Sequence, residues 1–161
     1  MHRDLKPENI MVSASLDTVK IVDFGLATHI HEPNYIFVRC GTPGFVAPEI
    51  LKIRDVTSAR LGLQADVFSL GAIYYQALYG KPIFEGKDQH EVLTKNRLCQ
   101  THIKENELTG FGEVELLRSM LTSDQFYRAT PESALNSYFL RERKDSKHQV
   151  LRTIDNSHMS D

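Results

Sequence analysis

Four polar residues near the start of this 161-residue chain are of the types that phosphate chemistry uses. The opening stretch MHRDLKPEN contains Asp4, Lys6 and Asn9, and a second aspartate, Asp23, lies a short distance further along the chain. An aspartate can act as a base, a lysine can neutralise phosphate charge, and amide and carboxylate oxygens are ligands that Mg²⁺ accepts. A base, a cation and a metal site are the parts that phosphoryl transfer requires. These residues therefore favour that chemistry, provided that the fold brings them together.

Two short runs of β-branched residues are the elements that would position Asn9 and Asp23. Ile10–Val12 and Val19–Val22 are separated by SASLDT, a composition typical of a turn, so we predict an antiparallel hairpin. The two ends of a hairpin meet, which places Asn9, just before the first strand, near Asp23, just after the second. The sequence thus predicts a magnesium site built from an amide oxygen and a carboxylate, with water and phosphate as the remaining ligands.

Helices are predicted for the second half of the chain. Apolar residues recur at helical spacing over Gln64–Tyr79, where Gly80 supplies a stop, and again over Glu113–Leu121. Thr130 and Pro131 have the pattern of an N-cap followed by a first-turn proline, which predicts a short helix to about residue 139. Residues 26–50 are broken by glycine and proline and are expected to form a loop. The apolar positions of the two longer helices are Val67, Leu70, Tyr74, Ala77 and Leu78, then Val114, Leu117 and Leu121.

Composition excludes several classes of protein. The net charge of −2 lacks the excess of positive charge that is typical of nucleic-acid-binding proteins. The longest apolar run, residues 67–80, is shorter than the roughly 20 residues of a membrane span. No signal peptide is visible at the N-terminus. Cys40 and Cys99 are too few for a disulfide framework, which favours a reducing, cytoplasmic location. We therefore expect neither a nucleic acid nor a membrane as a partner.

Four motifs, in this order along the chain, resemble those of eukaryotic protein kinases. HRDLKPEN (2–9), DFG (23–25), APE (47–49) and DVFSLG (66–71) resemble the catalytic loop, the metal-binding motif, the end of the activation segment and the central helix. The resemblance covers residues 1–140. It implies an α+β, mainly α fold: a protein-kinase-like C-terminal lobe with a short N-terminal β-hairpin and the N-terminal lobe absent. Residues 141–161 are expected to form a polar, flexible tail.

The same resemblance implies ATP and Mg²⁺ as cofactors and a protein as substrate. In that family the residue matched by Asp4 accepts or orients the proton of the substrate hydroxyl, and that matched by Lys6 neutralises the transferring phosphoryl group. Asn9 and Asp23 match the residues that hold magnesium. Lys6, Asn9 and Asp23 would together form the cofactor site.

Supporting roles are implied for a further group of residues. His2 would support the loop, Arg3 would offer a guanidinium to an activation-segment phosphate, and Asp66 would accept backbone hydrogen bonds from the loop. Glu49 would pair with Arg128, although Gln125 replaces the usual proline nearby; the alternative is two unrelated surface charges. The full set with structural or regulatory roles is His2, Arg3, Phe24, Gly25, Glu49, Asp66 and Arg128.

Local features indicate the class of substrate. Lys6, two places after Asp4, and Thr42, able to bridge Asp4 and Lys6 by its hydroxyl, resemble serine/threonine kinases and not tyrosine kinases. The amino-acid sequence of the catalytic loop most resembles that of the calcium/calmodulin-dependent group. Glu8 matches an acid that holds a substrate arginine in basic-directed members, but Gln76 stands where those members present a second acid, which argues against that preference.

The usual activating phosphosite is also missing. Residues 36–39, IFVR, contain no hydroxyl, so Arg3 has no phosphate to bind there. Thr28 and Tyr35 are the remaining hydroxyls of the segment, and nothing in the sequence favours either.

Weaker signals have plainer explanations. His29 and His31 form an H-x-H pair, but no third ligand has suitable spacing, so loop histidines are favoured over a metal site. Cys99 and His102 have the same weakness. The basic tail residues suggest a calmodulin-binding helix, but their apolar anchors are few and a solvated tail is favoured. The basic residues are Arg141, Arg143, Lys144, Lys147 and Arg152.

The sequence contains neither a glycine-rich strand pair nor the lysine, hinge and long helix that precede the catalytic loop in this family. Three interpretations are then open. The chain is a serine/threonine kinase polypeptide whose sequence is incomplete at the N-terminus, a catalytically inactive module that binds substrates or partners, or a half-enzyme completed by another chain. We favour the first, because an inactive module would not need Asp4, Lys6, Asn9 and Asp23 together. Met1 is then an internal methionine of the longer protein.

Overall fold

The computed structural model describes residues 1–31, 37–55, 61–101, 103 and 111–142. A two-stranded antiparallel sheet lies near the N-terminus and the described elements after it are helices, so the predicted α+β, mainly α fold class is confirmed. The elements are β1 (Ile10–Val12), β2 (Val19–Ile21), α1 (Pro48–Lys52), α2 (Gln64–Tyr79), α3 (Gln89–Leu98), α4 (Phe111–Met120) and α5 (Pro131–Leu135).

The predicted hairpin is present. Strands β1 and β2 pair with Met11 opposite Lys20, and a turn over residues 13–18 joins them. Strand β2 ends one residue before the predicted Val22, but the Val22 amide still donates to Asn9 O at 3.0 Å. A single turn of 3-10 helix over Pro7–Asn9 leads into β1. The hairpin therefore brings the backbone before Asp23 against Asn9.

Helix α2 has the predicted bounds and is the centre of the core. Gly80 ends it with a left-handed φ of 67°, a conformation that glycine adopts without steric cost. The buried face differs from the predicted apolar positions. Phe68 is fully buried, whereas Leu70 and Leu78 are each 37% exposed. The reason is that small residues such as Ala65 and Ala72, which the pattern did not count, are part of the buried face.

Helix α4 packs on α2 and completes that core. It begins two residues before and ends one residue before the predicted range. Leu117 and Leu121, two of its three predicted core residues, are buried. Gly71 permits the close approach of the two helices, because a Cβ atom at this position would lie 3.0 Å from the Cβ of Met120. The α2–α4 pair is thus a rigid support for the segments that precede it.

Helix α5 begins as predicted and ends early. Thr130 and Ser133 form a reciprocal capping box at its start. The helix ends at Leu135, before the predicted residue 139, and residues 138–142 are helical again. The hydroxyl of Ser137 accepts from the Leu140 amide at 3.4 Å, so a second helix start interrupts the predicted one.

Two helices were not predicted from the sequence. Helix α1 has Pro48 in its first turn, and α3 has Asp88 as its N-cap, whose carboxylate accepts from the Glu91 amide at 2.8 Å. The D-x-x-E pattern of residues 88–91 is a capping-box signature that identifies the start of α3. Helix α3 packs against α1. The last three residues of the loop predicted for residues 26–50 are therefore helical, because α1 begins at Pro48.

Some sequence predictions fall outside the described residues. Tyr35, His102 and the tail from residue 143 onward, including its calmodulin-binding alternative, are among them. Within the part of the chain that the structure covers, no helix has the length and apolar character needed to cross a membrane.

Candidate active site

Asp4, Lys6 and Thr42 form a closed triangle of polar contacts. The Thr42 hydroxyl donates to Asp4 Oδ1 at 2.7 Å, and Lys6 Nζ donates to Thr42 Oγ1 at 3.1 Å. Lys6 Nζ also lies 3.1 Å from Asp4 Oδ2. The bridge that the sequence suggested for Thr42 is therefore present, across 38 residues of chain.

These contacts determine the charge of Asp4. Burial raises the pKa of this carboxyl, but the hydrogen bonds from Thr42 and Lys6 and the positive charge of Lys6 together lower it by more, so the pKa lies below its ordinary value. Asp4 is thus ionised at neutral pH. An ionised carboxylate beside an ammonium group is suited to accept a proton and to attract a phosphate.

Helix α2 anchors the loop that carries Asp4. Both carboxylate oxygens of Asp66, in the first turn of α2, accept backbone hydrogen bonds, from His2 N at 2.7 Å and from Arg3 N at 2.9 Å. Arg3 has a left-handed φ of 74°, which is strained for a residue with a side chain. The bonds to Asp66 hold this strained turn and so direct Asp4 toward Thr42.

His2 connects the loop to the hairpin. The Asp4 amide donates to His2 Nδ1 at 3.3 Å, which makes Nδ1 an acceptor and leaves the proton on Nε2. Nε2 lies 3.0 Å from Val22 O, the carbonyl before Asp23. The ring also packs against Phe24, with centroids 5.0 Å apart. His2 therefore links Asp4 to the end of β2.

Asn9 and Asp23 are the residues that the sequence suggested as magnesium ligands. Asn9 is buried, and its side-chain NH₂ donates to Asp4 O at 2.8 Å, which leaves its Oδ1 as the available ligand atom. Asp23 is exposed, with a φ of 62°, and its Oδ1 accepts from the Gly25 amide at 3.3 Å. An amide oxygen and a carboxylate suit Mg²⁺. Among the described residues no group of three or more His, Cys, Asp or Glu side chains forms a metal site.

Arg3 contacts the segment that comes after the DFG motif. Its guanidinium donates to the carbonyl of Phe37 and, at 3.3 Å, to that of Val38. The sequence suggested a phosphate as its ligand. The observed partners are the backbone carbonyls of this stretch, whose side chains have no hydroxyl that could carry a phosphate.

Glu49 and Arg128 form the ion pair that the sequence suggested. The contact is bidentate, with Nη1–Oε1 at 2.7 Å and Nη2–Oε2 at 2.8 Å. Arg128 is fully buried and uses its other three N–H groups on the carbonyls of Thr122, Gln64 and Ser123. All five guanidinium donors are thus satisfied. The pair joins α1 to the start of α2 and to the 122–123 turn.

Sequence reasoning missed Asn96. This residue of α3 is fully buried; its Oδ1 accepts from the Gly44 amide at 3.0 Å and its NH₂ donates to Val46 O at 2.9 Å. It therefore fixes the backbone just after Thr42. A lone asparagine on a polar helix carries no local signal of this role, because its partners are 50 or more residues away.

The weaker candidate sites are not assembled. The rings of His29 and His31 contact each other, with centroids 5.4 Å apart, and the described residues around them supply no third metal ligand. Burial raises the pKa of the Cys99 thiol, and its Sγ lies 3.6 Å from Leu121 O, as expected for a structural cysteine. Its suggested partner His102 lies outside the described residues.

Comparison with known proteins agrees with this geometry. Residues 1–140 match the protein kinase domain. The chain is 41% identical over 123 residues to probable serine/threonine-protein kinase 2 of Plasmodium falciparum (isolate K1 / Thailand), a match covering 75% of this chain and 22% of that protein. It is 34% identical over 170 residues to probable serine/threonine-protein kinase fhkA of Dictyostelium discoideum, covering 88% and 29%.

A third relative is serine/threonine-protein kinase PLK4 of Xenopus laevis, 32% identical over 161 residues, covering 98% of this chain and 16% of that protein. The chain therefore spans less than a third of the length of each of these relatives. The match over residues 1–140 and the site geometry lead to one conclusion: the chain belongs to the protein kinase domain family.

Proposed function

We propose that residues 1–140 are the C-terminal lobe of a serine/threonine protein kinase domain, which transfers the γ-phosphate of ATP to protein serine or threonine hydroxyls. The triangle of Asp4, Lys6 and Thr42 carries this proposal, because it sets an ionised carboxylate and an ammonium group side by side on a loop anchored to α2. Residues 141–161 are proposed to be a polar tail outside the domain.

Each residue has a defined role in this proposal. Asp4 accepts the proton of the substrate hydroxyl, and Lys6 neutralises charge on the phosphoryl group as it leaves ATP. Asn9 Oδ1 and the Asp23 carboxylate hold Mg²⁺, which supplies charge neutralisation at the phosphates. His2, Phe24 and Gly25 maintain the position of Asp23. The protein contributes mainly positioning and charge.

The preference for serine and threonine rests on the same contacts. Lys6 and Thr42 resemble the serine/threonine class, and the names of the three relatives agree. We further propose that the chain is most similar to the calcium/calmodulin-dependent group of kinases. This proposal rests only on the amino-acid sequence of its catalytic loop. A calmodulin-binding tail is the weaker part of that proposal.

We also propose a cytoplasmic location. Cys40 and Cys99 are both free thiols, as is usual in a reducing compartment. Secreted proteins more often contain disulfide bonds.

The test joins this chain to the N-terminal lobe of a related serine/threonine kinase and measures phosphate transfer from labelled ATP to Ser/Thr peptides. Asp4→Asn is expected to lower kcat by about 10²–10⁴-fold, the usual contribution of a positioned base. Asp17→Asn is the matched control, because Asp17 lies in the exposed turn of the hairpin. Transfer that Asp4→Asn leaves undiminished would contradict the role of Asp4. Nucleotide binding with no transfer by the unmodified protein would favour the inactive binding module.

A further inference from the structure

A cleft between the end of α1 and the last turn of α3 has a strongly positive lining. Its volume is about 480 Å³, and four basic residues line it: Arg39, Lys52, Arg54 and Arg97. No Asp or Glu is among the described residues that line it. We call this feature the basic cleft.

The described residues around the basic cleft do not form ion pairs with its four positive side chains. All four basic side chains are exposed, and within the described residues none of them makes an ion pair or a side-chain hydrogen bond. The carboxylates on α1 and α3 are already occupied, and Asp55, which follows Arg54 in the chain, also has an interaction partner. Glu49 of α1 is paired with Arg128, and Glu91 of α3 with Lys95 at 2.8 Å. The charge of the cleft is therefore available to a ligand.

The basic cleft begins close to the catalytic triangle. Arg39 is three residues before Thr42, and an extended chain spans at most about 3.5 Å per residue, so their Cα atoms are within about 10 Å of each other. The contact of Arg3 with Val38 O holds the backbone just before Arg39. A bound segment with its hydroxyl at Asp4 would reach Arg39 within three or four residues.

We propose that the basic cleft binds acidic side chains of the protein substrate, so that this kinase domain prefers acceptor hydroxyls that have Asp or Glu about three to four residues away. The proposal rests on the proposed function, since it places the acceptor hydroxyl at Asp4. Several exposed carboxylate–guanidinium contacts, each weak alone, together give selectivity. The half-buried side chains of Leu51 and Ile53 form an apolar floor for the stems of the bound residues.

An acidic peptide fits this cleft better than a nucleic acid does. The described lining has no aromatic ring on which a base could stack. The chain as a whole has a net charge of −2, which opposes a long polyanion but not a short acidic segment. A short peptide that carries two or three carboxylates can pair each of them with one of the four positive groups.

The experiment measures binding to the 161-residue chain by fluorescence anisotropy. One labelled peptide has a central serine with Glu three and four residues to one side; a second has these Glu on the other side; a third has Gln in their place. The acidic peptide of one orientation is expected to bind about tenfold more tightly than the Gln peptide, and this preference should diminish as salt screens exposed charges.

The matched variants reverse the same number of charges inside and outside the cleft. Arg54→Glu/Arg97→Glu is expected to abolish the preference. Lys20→Glu/Lys87→Glu is expected to retain it, because Lys20 lies on β2 and Lys87 lies two residues before α3, at the opposite end of that helix from Arg97. All four positions are exposed, and far-UV circular dichroism verifies that both double variants fold.

The outcomes separate the two proposals, because binding needs no phosphate transfer. Equal affinity for the acidic and Gln peptides, or a preference that survives Arg54→Glu/Arg97→Glu, overturns the assignment of the basic cleft whether or not the completed kinase is active. Binding of a phosphoserine peptide without binding of the Glu peptides also overturns it, in favour of a phosphate site. Acid-selective binding by a protein that transfers no phosphate when its N-terminal lobe is supplied supports the cleft and contradicts the proposed function alone.

Discussion

At the scale of single residues, one hydroxyl group connects the two charges of the site. The Thr42 hydroxyl donates to Asp4 and accepts from Lys6, so its loss would remove one of the hydrogen bonds that stabilise the ionised carboxylate. The pKa of Asp4 lies below its ordinary value because these hydrogen bonds outweigh burial. A folded-state pKa below the unfolded value stabilises the protein at pH values above the unfolded pKa.

The variant Thr42→Val tests this linkage. Without the hydroxyl the pKa of Asp4 should rise, so the variant should be less stable than the unmodified chain at pH 7. That difference should shrink as the pH falls below about 4 and Asp4 becomes protonated in the unfolded and then in the folded state. Urea unfolding at pH 7 and at pH 3 measures both values.

The control for this variant is Thr94→Val, at a half-buried position on α3. It should show no such pH dependence. A Thr42→Val stability difference that is constant between the two pH values would show that the hydroxyl acts by packing and not through Asp4.

Asp23→Asn tests the proposed metal ligand. Asparagine tolerates the left-handed φ of 62° at this exposed position, so the fold should be retained. A neutral amide is a poorer ligand than a carboxylate for a hard cation, and magnesium-dependent transfer by the protein with a supplied N-terminal lobe should be abolished. Transfer rates at rising Mg²⁺ concentration provide the measurement. Undiminished turnover would remove Asp23 from the metal site.

At the scale of elements, the molecule is held together by buried polar side chains that connect helices distant in sequence. Arg128 joins α1, α2 and the 122–123 turn, and Asn96 joins α3 to the backbone after Thr42. Both side chains are buried, and their hydrogen bonds cross between elements far apart in the chain. Removing one partner would leave a buried polar or charged group without a hydrogen bond. This lowers the free energy of unfolding more than replacing both partners by apolar residues does.

Arg128→Ala should therefore destabilise the lobe by roughly 3–5 kcal/mol, because the mostly buried carboxylate of Glu49 would remain without its partner. Chemical unfolding of the purified chain gives the free energy. Arg141→Ala is the matched control, since Arg141 is exposed and contacts only Asn136 within the described hydrogen bonds of its side chain; its effect should stay within about 0.5 kcal/mol. An Arg128→Ala chain as stable as the original would mean that Glu49 becomes solvated at little cost.

At the scale of the whole molecule, the proposed site would recognise only the charged part of a nucleotide. In that proposal Asn9 and Asp23 would hold magnesium and, through it, phosphate, but the sequence of residues 1–161 contains no glycine-rich loop to cover the phosphates. Exposed charge pairs are worth about 0–1 kcal/mol each, which corresponds to ATP binding no tighter than roughly millimolar.

Residues 1–161 alone should consequently show no kinase activity above background. In-line transfer depends on positioning, and small misplacements cost about a hundredfold. Incubation with labelled ATP, Mg²⁺ and a generic Ser/Thr substrate tests this, with Asp4→Asn as the control and a supplied N-terminal lobe as the condition that restores activity. Robust transfer by the unsupplemented chain, lost in Asp4→Asn, would show that the lobe contributes less than we expect.

Features that depend on neighbours in the sequence could be predicted before the structure. The hairpin, the bounds of α2, the N-cap at Thr130 and the candidate residues of the loop all derive from local patterns or from motifs. Two further local signals are present in the sequence: the D-x-x-E pattern that starts α3, and the alanines Ala65 and Ala72 on the buried face of α2. Glu49 and Arg128 were predicted as a pair only because their motif positions resemble those of a known family.

Other features could be decided only by the tertiary structure. Asn96 contacts Gly44 and Val46, and the basic cleft combines residues 39, 52, 54 and 97, none of which has a local pattern that marks it. The physical reason is that these residues are far apart in the sequence and meet only when α3 packs against α1 and the segment before it. That packing gives Asn96 its buried partners and brings the four basic side chains to one cleft. The sequence by itself determined which chemical groups this chain possesses and where its local elements begin, whereas the packing of helices determined which groups are neutralised within the protein and which remain available to a substrate.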